Sequence, residues 1–272
     1  MTLFNQSILI VVPTLNSWPL LECLLNSLRK QSFPLWRLIF IDGNSSQEHI
    51  CYLNHICASE SRCSWLPQCS NEHGIFGAMN QGFANALENE WLLFWGSDDW
   101  AAASDVFSQL IEVIQFQELS PDMIVCRARY VDTVTNNLAR SSLFHSSGVL
   151  SVDAYRKLLF LGLTPPHQAT LIGPGARLLL SRYSSGFRLS ADLDYFLQLS
   201  KFPNLQVQCL DLEIVHMGVG GISMQHNYRR FQEVLFAYRK AFGLVCWFPF
   251  LMRYFLRSIS LLKTYRVRKA NL

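Results

Sequence analysis

Two adjacent carboxylates, Asp98 and Asp99, follow a short apolar segment that could place them at the edge of a binding crevice. The segment is Trp-Leu-Leu-Phe-Trp, and a Gly-Ser turn separates it from the carboxylates. A short apolar run bounded by turn residues indicates a strand buried on both faces, and open α/β sheets bind ligands beyond the carboxyl ends of such strands. Neighbouring carboxylates repel each other unless a cation lies between them, so the pair predicts Mg²⁺ or Mn²⁺ holding a phosphate. The alternative is an exposed turn, in which Asp is common.

Two earlier strands also end in polar turns. Ser7 to Pro13 is rich in β-branched residues and precedes Thr14-Leu15-Asn16, while Leu38 to Ile41 precedes an Asp-Gly-Asn-Ser-Ser turn that begins at Asp42. Three β-α units before residue 100 predict an α/β protein with a doubly wound, mostly parallel sheet. Neither G-x-G-x-x-G nor a P-loop follows the first strand, so a nucleotide would be held by strand-end side chains and a cation.

The second half of the chain has a less regular pattern. Asp192 and Asp194 fall in the first turn of one predicted helix, where carboxylates also interact favourably with the helix macrodipole. With 272 residues, of which half are hydrophobic and 16% are charged, we predict one folded domain and a C-terminal extension. The predicted elements after residue 120 are a strand over Met123–Val131, a helix over Asp153–Leu161, a strand over Ala169–Ile172, a helix over Ala191–Leu199 and an extended segment over Leu205–Val215.

Basic residues are concentrated at the C-terminal end. No Asp or Glu follows Glu233, whereas eight of the 23 basic residues do. The apolar stretch from Leu244 to Leu262 contains Arg253 and Arg257, and an arginine at a bilayer centre costs roughly 2.5 kcal/mol or more, which argues against a transmembrane helix. These arginines share one helical face among aromatic residues, which predicts an amphipathic helix lying on anionic lipid. The alternative is a basic helix packed on the domain.

The sequence also indicates a cellular compartment. The first six residues contain no basic segment of the kind that begins a secretory signal. Four cysteines recur at every sixth position from Cys51 to Cys69, but no C-x-x-C pair occurs, so reduced thiols are favoured over a zinc site. We therefore expect a cytoplasmic protein that is held peripherally on the inner face of the cell membrane by its C-terminal segment.

Four segments occur in a characteristic order: Ile8–Asn16 with Leu38–Ser46, then His73–Gly82, Leu92–Asp99 and Phe187–Leu199. Together they resemble the GT-A-fold family 2 glycosyltransferases, and most of all the bacterial enzymes of surface polysaccharide synthesis, such as capsule, O-antigen and colanic acid. The resemblance spans about Ser7 to Ser223. It implies a GT-A domain over residues 1–232, with a Rossmann-like nucleotide-sugar half over about 1–100 and an acceptor half over 101–232. A basic amphipathic helical tail would occupy 233–272.

On the donor side, the resemblance implies a nucleotide pocket lined by Pro13, Thr14 and Asn16. Asp42 would accept a hydrogen bond from the base, with an ordinary turn role as the alternative. By position, Asp98 and Asp99 would hold the ribose and the diphosphate with its divalent cation, Mg²⁺ or Mn²⁺.

On the acceptor side, the resemblance makes Asp192 the catalytic base, with Asp194 orienting its neighbourhood or packing at the helix end. His167 would contact acceptor or phosphate, although a lone histidine is as often structural. His216 ends a predicted strand, and a late histidine joins the metal in some GT-A enzymes.

The implied reaction is inverting transfer of a sugar from a nucleoside-diphosphate sugar to a hydroxyl of a glycan or lipid-linked acceptor. Two departures from the family pattern matter: Gly96 stands where the first Asp of Asp-x-Asp often lies, and Ala191 replaces the usual Glu. They leave open a catalytically degenerate GT-A-fold protein that binds a sugar nucleotide or a glycan without turnover. No nucleic-acid partner is expected.

Overall fold

The computed structural model describes residues 6–116, 121–132, 137–218 and 227–270. Within these ranges one mixed sheet is flanked by α-helices and short 3-10 turns. The strands are β1 (Ser7–Thr14), β2 (Trp36–Asp42), β3 (Cys63–Pro67), β4 (Glu90–Phe94), β5 (Asp99–Ala101), β6 (Met123–Asp132), β7 (Asn137–Ser141), β8 (Gly148–Leu150), β9 (Thr170–Ile172) and β10 (Val207–Gly218). The helices are α1 (Leu21–Arg29), α2 (Gln47–Ser59), α3 (Gly74–Ala84), α4 (Val106–Phe116), α5 (Val152–Phe160), α6 (Pro174–Leu179), α7 (Ala191–Leu199), α8 (Asn227–Phe242) and α9 (Trp247–Ala270).

The strand β1 lies at the centre of the first half. It pairs in parallel with β2 and β4, and β2 pairs in parallel with β3. Successive side chains of a strand point to opposite faces of the sheet. Ile8 and Ile10 accordingly pack in one buried cluster with the leucines of α1, whereas Leu9 and Val11 pack in another with Phe83 of α3. The prediction of a doubly wound, mostly parallel sheet is confirmed.

The second half continues the same sheet, in the order β3-β2-β1-β4-β9-β6-β10-β5. The long strands β6 and β10 are parallel, and the short strands β5, β7, β8 and β9 pair with their neighbours antiparallel. Helix α7 has the predicted bounds. Helix α3 ends at Ala84, before the start of β4. The strand β9 was predicted within Ala169–Ile172. The strands β5, β7 and β8 and the helix α6, which have three to six residues, were not predicted, because so short a segment seldom shows a clear period.

The C-terminal extension consists of α8 and α9, so the predicted helical extension is confirmed. Gly243 adopts the left-handed φ of 62° and begins a short 3-10 turn between the two helices. One stretch of the described chain, Tyr228–Ser260, is long and apolar enough to cross a membrane by length and composition. The 3-10 turn divides it, and α8 packs on α7 while α9 packs on α5.

The arginine face of α9 turns toward the domain. Arg253 is buried and donates a hydrogen bond to Thr164 Oγ1, and a Cβ on Gly162 would lie 2.5 Å from the Arg253 backbone nitrogen. The nearby Arg253 charge and burial lower the pKa of Arg257 to about 10. The face of α9 that contains Arg253 therefore packs on the domain, as the alternative had it. Binding of this helix to anionic lipid stays a prediction.

Candidate active site

The carboxyl ends of β1 and β2 lie side by side and share a network of hydrogen bonds. Thr14 and Asp42 are register partners, and the Thr14 hydroxyl donates to Asp42 Oδ1 over 3.3 Å. Asn16 has a φ of 49°; its backbone amide donates to Ser45 Oγ, and its side-chain carbonyl accepts from the Ser46 amide, each over 2.8 Å. The loops that follow the two strands are thereby joined. The structure brings Pro13, Thr14, Asn16 and Asp42 to one edge of the sheet. Their role in lining a nucleotide pocket stays a prediction.

The Asp42 carboxylate is almost completely enclosed. In addition to Thr14, it accepts hydrogen bonds from the Ser45 hydroxyl and from the Asn44 and Ser45 amides over 2.5–3.1 Å. His49 Nε2 lies 3.3 Å from Asp42 Oδ1, and burial lowers the pKa of that histidine. An ionised carboxylate offers about four acceptor positions, so Asp42 is fully used in holding its own turn. Its hydrogen bond to a base stays a prediction.

The carboxylates of Asp98 and Asp99 converge over Gly96, just after β4. A Cβ on Gly96 would lie 2.8 Å from Asp98 Oδ1 and 3.3 Å from Asp99 Oδ2. The Gly96 amide donates to Asp99 Oδ2 over 2.5 Å. A side chain at position 96 would displace both carboxylates, which gives a physical reason for the glycine that departs from the Asp-x-Asp pattern. The Ser97 hydroxyl lies 2.8 Å from the Ser17 hydroxyl, which ties this turn to the loop after β1.

Burial and mutual repulsion make this carboxylate pair costly to ionise. Burial raises the pKa of Asp98. Burial and the Asp98 charge raise the pKa of Asp99 to about 8, against the opposing effect of the Gly96 amide. Two close carboxylates in a desolvated position stabilise a bound cation, and the cation in turn restores their ionised form.

The carboxylate oxygens of Asp98 and Asp99 fit a Mg²⁺ or Mn²⁺ ion that also binds a phosphate. Such ions take hard oxygen ligands and are commonly held by one or two carboxylates together with substrate phosphates. In the described part of the chain, no group of three or more His, Cys, Asp or Glu residues could form an all-protein cage. The residues present therefore suit a cation that arrives with, or is completed by, a diphosphate.

The residues predicted for the acceptor side include His167 and Asp192, which influence each other electrostatically near the start of α7. His167 is buried, and its Nε2 lies 2.6 Å from the Tyr183 hydroxyl. Its ring stacks on Phe94, the last residue of β4, with ring centroids 5.6 Å apart. Burial lowers the pKa of His167, although the charge of Asp192 acts in the opposite direction. Asp192 is half-buried. His167 thus packs on the end of β4, the strand that precedes the carboxylate pair, and Asp192 is near enough for its charge to act on that histidine.

Asp194 points away from this group into a buried polar cluster. Its Oδ2 accepts hydrogen bonds from Ser184 Oγ and from Gln198, over 2.6 and 2.5 Å. Lys240 of α8 lies 3.0 Å from Asp194 Oδ1. Asp194 therefore links α7 to α8. Whether it orients the neighbourhood of Asp192 or only packs at the helix end stays a prediction.

His216 lies on β10 opposite Trp100, in the strand pair that also aligns Met217 with Asp99. Its imidazole is engaged elsewhere: Nε2 lies 2.8 Å from Glu213 Oε1, and the ring packs edge-on against Trp100. The structure places His216 at the same end of the sheet as the carboxylates, held by Glu213. Its participation in metal binding stays a prediction.

Sequence reasoning missed Tyr183, Ser17 and Glu233, which hold the site together. The first two are single residues in irregular segments, and no spacing rule marks them. Glu233 was noted only as the last acidic residue of the chain. Its hydrogen bonds to the backbone before α7 could not be foreseen, because they join segments 43 to 45 residues apart.

Comparison with known proteins decides the family. Residues 9–180, well over half of the chain, match the family model described as Glycosyl transferase family 2. The chain belongs to glycosyl transferase family 2. PGL/p-HBAD biosynthesis glycosyltransferases of Mycobacterium tuberculosis and Mycobacterium bovis are each 27% identical to it over 215 residues, which cover 79% of this chain and 78% of each relative. The predicted family 2 glycosyltransferase is thereby confirmed.

Solved structures confirm the fold. S. aureus TarS 1–349 in complex with UDP-GlcNAc superposes with a TM-score of 0.65 at 16% identity, covering 87% of this chain and 67% of that one. The mannosyltransferase PcManGT from Pyrobaculum calidifontis, in complex with GDP-Man and Mn²⁺, gives 0.62 at 13% identity, covering 97% and 74%. The predicted GT-A fold is therefore confirmed. Asp192, Asp194 and His216 lie beyond the residues that the family model matches.

Proposed function

We propose that this family 2 glycosyltransferase is an inverting, cation-dependent enzyme of bacterial surface glycan synthesis. It would transfer a sugar from a nucleoside-diphosphate sugar to a hydroxyl of a glycan or lipid-linked acceptor. The observation that carries the proposal is the convergence of Asp98 and Asp99 over Gly96, beside the joined ends of β1 and β2. Two structural neighbours that bind UDP-GlcNAc or GDP-Man support a nucleotide-sugar donor, and one of them binds Mn²⁺.

On the donor side, the loops that contain Thr14 and Asn16 would bind the nucleoside, and Asp42 would keep those loops in place. Asp98 is more exposed than Asp99 and would contact the cation-bound diphosphate directly. A divalent cation bound by the two carboxylates would neutralise the charge that develops on the departing diphosphate. Asp99, held by the Gly96 amide, would keep the ligand geometry fixed.

On the acceptor side, Asp192 would remove the proton from the acceptor hydroxyl. The freed oxygen would attack the anomeric carbon, and the bond from that carbon to the diphosphate oxygen would break with its electron pair leaving on the diphosphate. Burial lowers the pKa of His167, which favours its neutral form, and through Tyr183 it would hold one wall of the acceptor space. Acceptor oxygen and anomeric carbon must approach within about 3–3.5 Å for such a displacement.

The direct test is a screen of nucleoside-diphosphate sugars with the wild-type protein, with Mn²⁺ and with EDTA. We expect one donor to raise the melting temperature only when the cation is present, and to be consumed when a matching glycan or glycolipid acceptor is added. If a donor binds tightly and no acceptor ever receives sugar, the degenerate binder is favoured, consistent with Ala191 in place of a carboxylate. If no donor binds, the proposal fails.

The C-terminal helices would hold this enzyme on an anionic membrane. Exposed apolar side chains occupy the turn between α8 and α9 and the exposed face of α9, and the exposed Arg239 precedes this turn on α8. A helix face of this composition, flanked by basic residues, binds at the headgroup boundary of anionic bilayers. Because Glu233 and Arg253 are buried against the domain, an in-plane arrangement is favoured over a spanning one. The exposed residues are Leu244, Val245, Trp247, Phe248, Leu251 and Phe255.

A further inference from the structure

Glu233 of α8 is the only acidic residue of that helix, and it is buried against the loop that leads into α7. Its carboxylate accepts hydrogen bonds from three successive backbone amides, those of Arg188, Leu189 and Ser190, over 3.0, 2.8 and 3.0 Å. Arg229, one helical turn earlier, donates to the same carboxylate over 2.9 Å. All of its acceptor positions are therefore used.

The three amides stand immediately before the predicted catalytic base. Ser190 is the residue at the N-terminal cap of α7, and its side chain makes no capping hydrogen bond. Asp192 follows two residues later. The position of Asp192 therefore depends on a loop that is held from outside, by a side chain of another helix.

A second contact joins the same two helices further along. Lys240 lies seven residues after Glu233, on the same face of α8, and its ammonium group is 3.0 Å from the buried Asp194 carboxylate. Glu233 thus holds the approach to α7, and Lys240 holds its first turn. The predicted boundary between residues 232 and 233 falls inside α8, immediately before the first of these contacts.

We propose that Glu233 is a positioning residue of the transfer reaction, which sets Asp192 against the acceptor and makes α8 part of the acceptor half. This inference rests on the proposed function. Displacement of a reacting group by about 1 Å can lower a rate by about 100-fold, so a small shift of the 188–190 loop is enough to matter. In the described part of the chain, Glu233 forms hydrogen bonds with Arg188, Leu189, Ser190 and Arg229, none of which is a predicted donor-side residue. Donor binding is therefore expected to be independent of it.

Glu233→Gln is the sharpest variant, because it preserves volume. Both oxygens of the Glu233 carboxylate accept hydrogen bonds from N–H groups. A glutamine has one oxygen and one NH₂ group, so in either orientation its NH₂ group would face N–H groups that have lost their acceptor. We expect kcat for transfer to fall roughly 10- to 100-fold, with the donor Kd and the donor KM unchanged. Lys240→Met, which retains the apolar stem, should give a smaller fall of the same kind.

Glu90→Gln is the matched control. Glu90 is also a buried glutamate that pairs with an arginine, Arg37, and accepts a backbone amide hydrogen bond from Leu87, but it lies at the opposite end of β4 from the carboxylate pair. It should lower the melting temperature as much as Glu233→Gln while leaving kcat near the wild-type value. If both variants lose activity in proportion to stability, Glu233 is only structural and the proposal is overturned.

Amide hydrogen exchange separates this proposal from the proposed function. In Glu233→Gln, the amides of residues 188–190 should exchange faster by at least about tenfold, and those of β4 should not change. Unchanged exchange there, or wild-type kcat in Glu233→Gln, would overturn the proposal. If the wild type transfers no sugar to any acceptor, the proposed function fails, and the exchange measurement still decides whether Glu233 holds the loop.

Discussion

The carboxyl group of Asp99 is buried beside that of Asp98 over Gly96, and burial and the Asp98 charge raise the pKa of Asp99 to about 8. In the unfolded chain the same group would titrate near its ordinary value of about 3.9. Protonation of Asp99 therefore stabilises the folded protein relative to the unfolded chain. Its contribution is fully present below about pH 4 and is lost as the pH rises through about 8.

This linkage predicts a pH-dependent stability that one substitution removes. Without divalent cation, the melting temperature of the wild type should fall as the pH rises from about 5 to about 9, and it should fall by more than that of Asp99→Asn. The reason is that residue 99 must ionise in a buried position only in the wild type. Thermal denaturation of both proteins across that range, in EDTA, measures the difference. Parallel curves for the two proteins would show that Asp99 is ionised throughout.

The same pair should make nucleotide binding depend on the cation. Asp98→Asn and Asp99→Asn are each expected to weaken binding of a nucleoside diphosphate in Mn²⁺ by tenfold or more, since each removes about one of the two charges that hold the ion. Asp105→Asn, an exposed carboxylate at the start of α4, is the control and should bind as the wild type does. Calorimetry with and without EDTA provides the measurement, and unchanged affinity in both site variants would remove the cation from the proposal.

A substitution at Asp42 should affect folding before it affects ligand binding. Asp42→Asn places an NH₂ group where the carboxylate now accepts hydrogen bonds from Thr14, Ser45 and the backbone. An unsatisfied buried donor or acceptor costs about 1–3 kcal/mol, so we expect a loss of that size in the free energy of unfolding. Denaturant titration measures it, with Ser45→Ala as a milder companion. A fully stable Asp42→Asn that nevertheless loses nucleotide affinity would show that the carboxylate contacts the base.

The sequence allowed the parallel half of the sheet to be predicted because its strands are long, apolar and separated by amphipathic helices. The strand ends with Thr14, Asp42 and Asp98 followed from that topology alone. The distribution of hydrogen bonds around Asp42 did not follow, because local turn geometry decides it. The Glu233 contacts did not follow either, since they form only when α8 packs on α7.

The C-terminal apolar face should determine membrane binding. Truncation of the chain at Phe242 would not test membrane binding alone. Cys246 and Phe250 are buried, so their removal would also expose part of the hydrophobic core. Leu244→Ser combined with Leu251→Ser should instead reduce binding to vesicles that contain anionic lipid, without loss of stability. Leu178→Ser, at a leucine of α6 that is 90% exposed, is the matched control and should bind normally.

Ionic strength separates the electrostatic part of this membrane contact from its apolar part. Binding of the wild type to anionic vesicles should weaken as ionic strength rises from about 0.05 to 0.5 M, because the basic residues after Glu233 are then screened. Vesicle co-sedimentation measures both effects. If the double variant and the wild type bind the vesicles equally, the exposed apolar face does not bind the membrane. The alternative that α9 is a basic helix packed on the domain would then be favoured.

The proposed base gives the final prediction. Asp192→Asn keeps the size and shape of the side chain and removes its capacity to accept a proton, so transfer should fall by about 10²–10⁴-fold. The donor Kd in Mn²⁺ should stay near the wild-type value, because Asp192 is assigned to the acceptor side and Asp98 and Asp99 to the donor. Calorimetry with the donor and a transfer assay with a matched acceptor make the comparison.

Asp194→Asn is the companion variant: it disturbs the ion pair with Lys240 and should lower both stability and kcat. Full transfer activity in Asp192→Asn would move the base to another residue. His167, on which the charge of Asp192 acts, would be tested next.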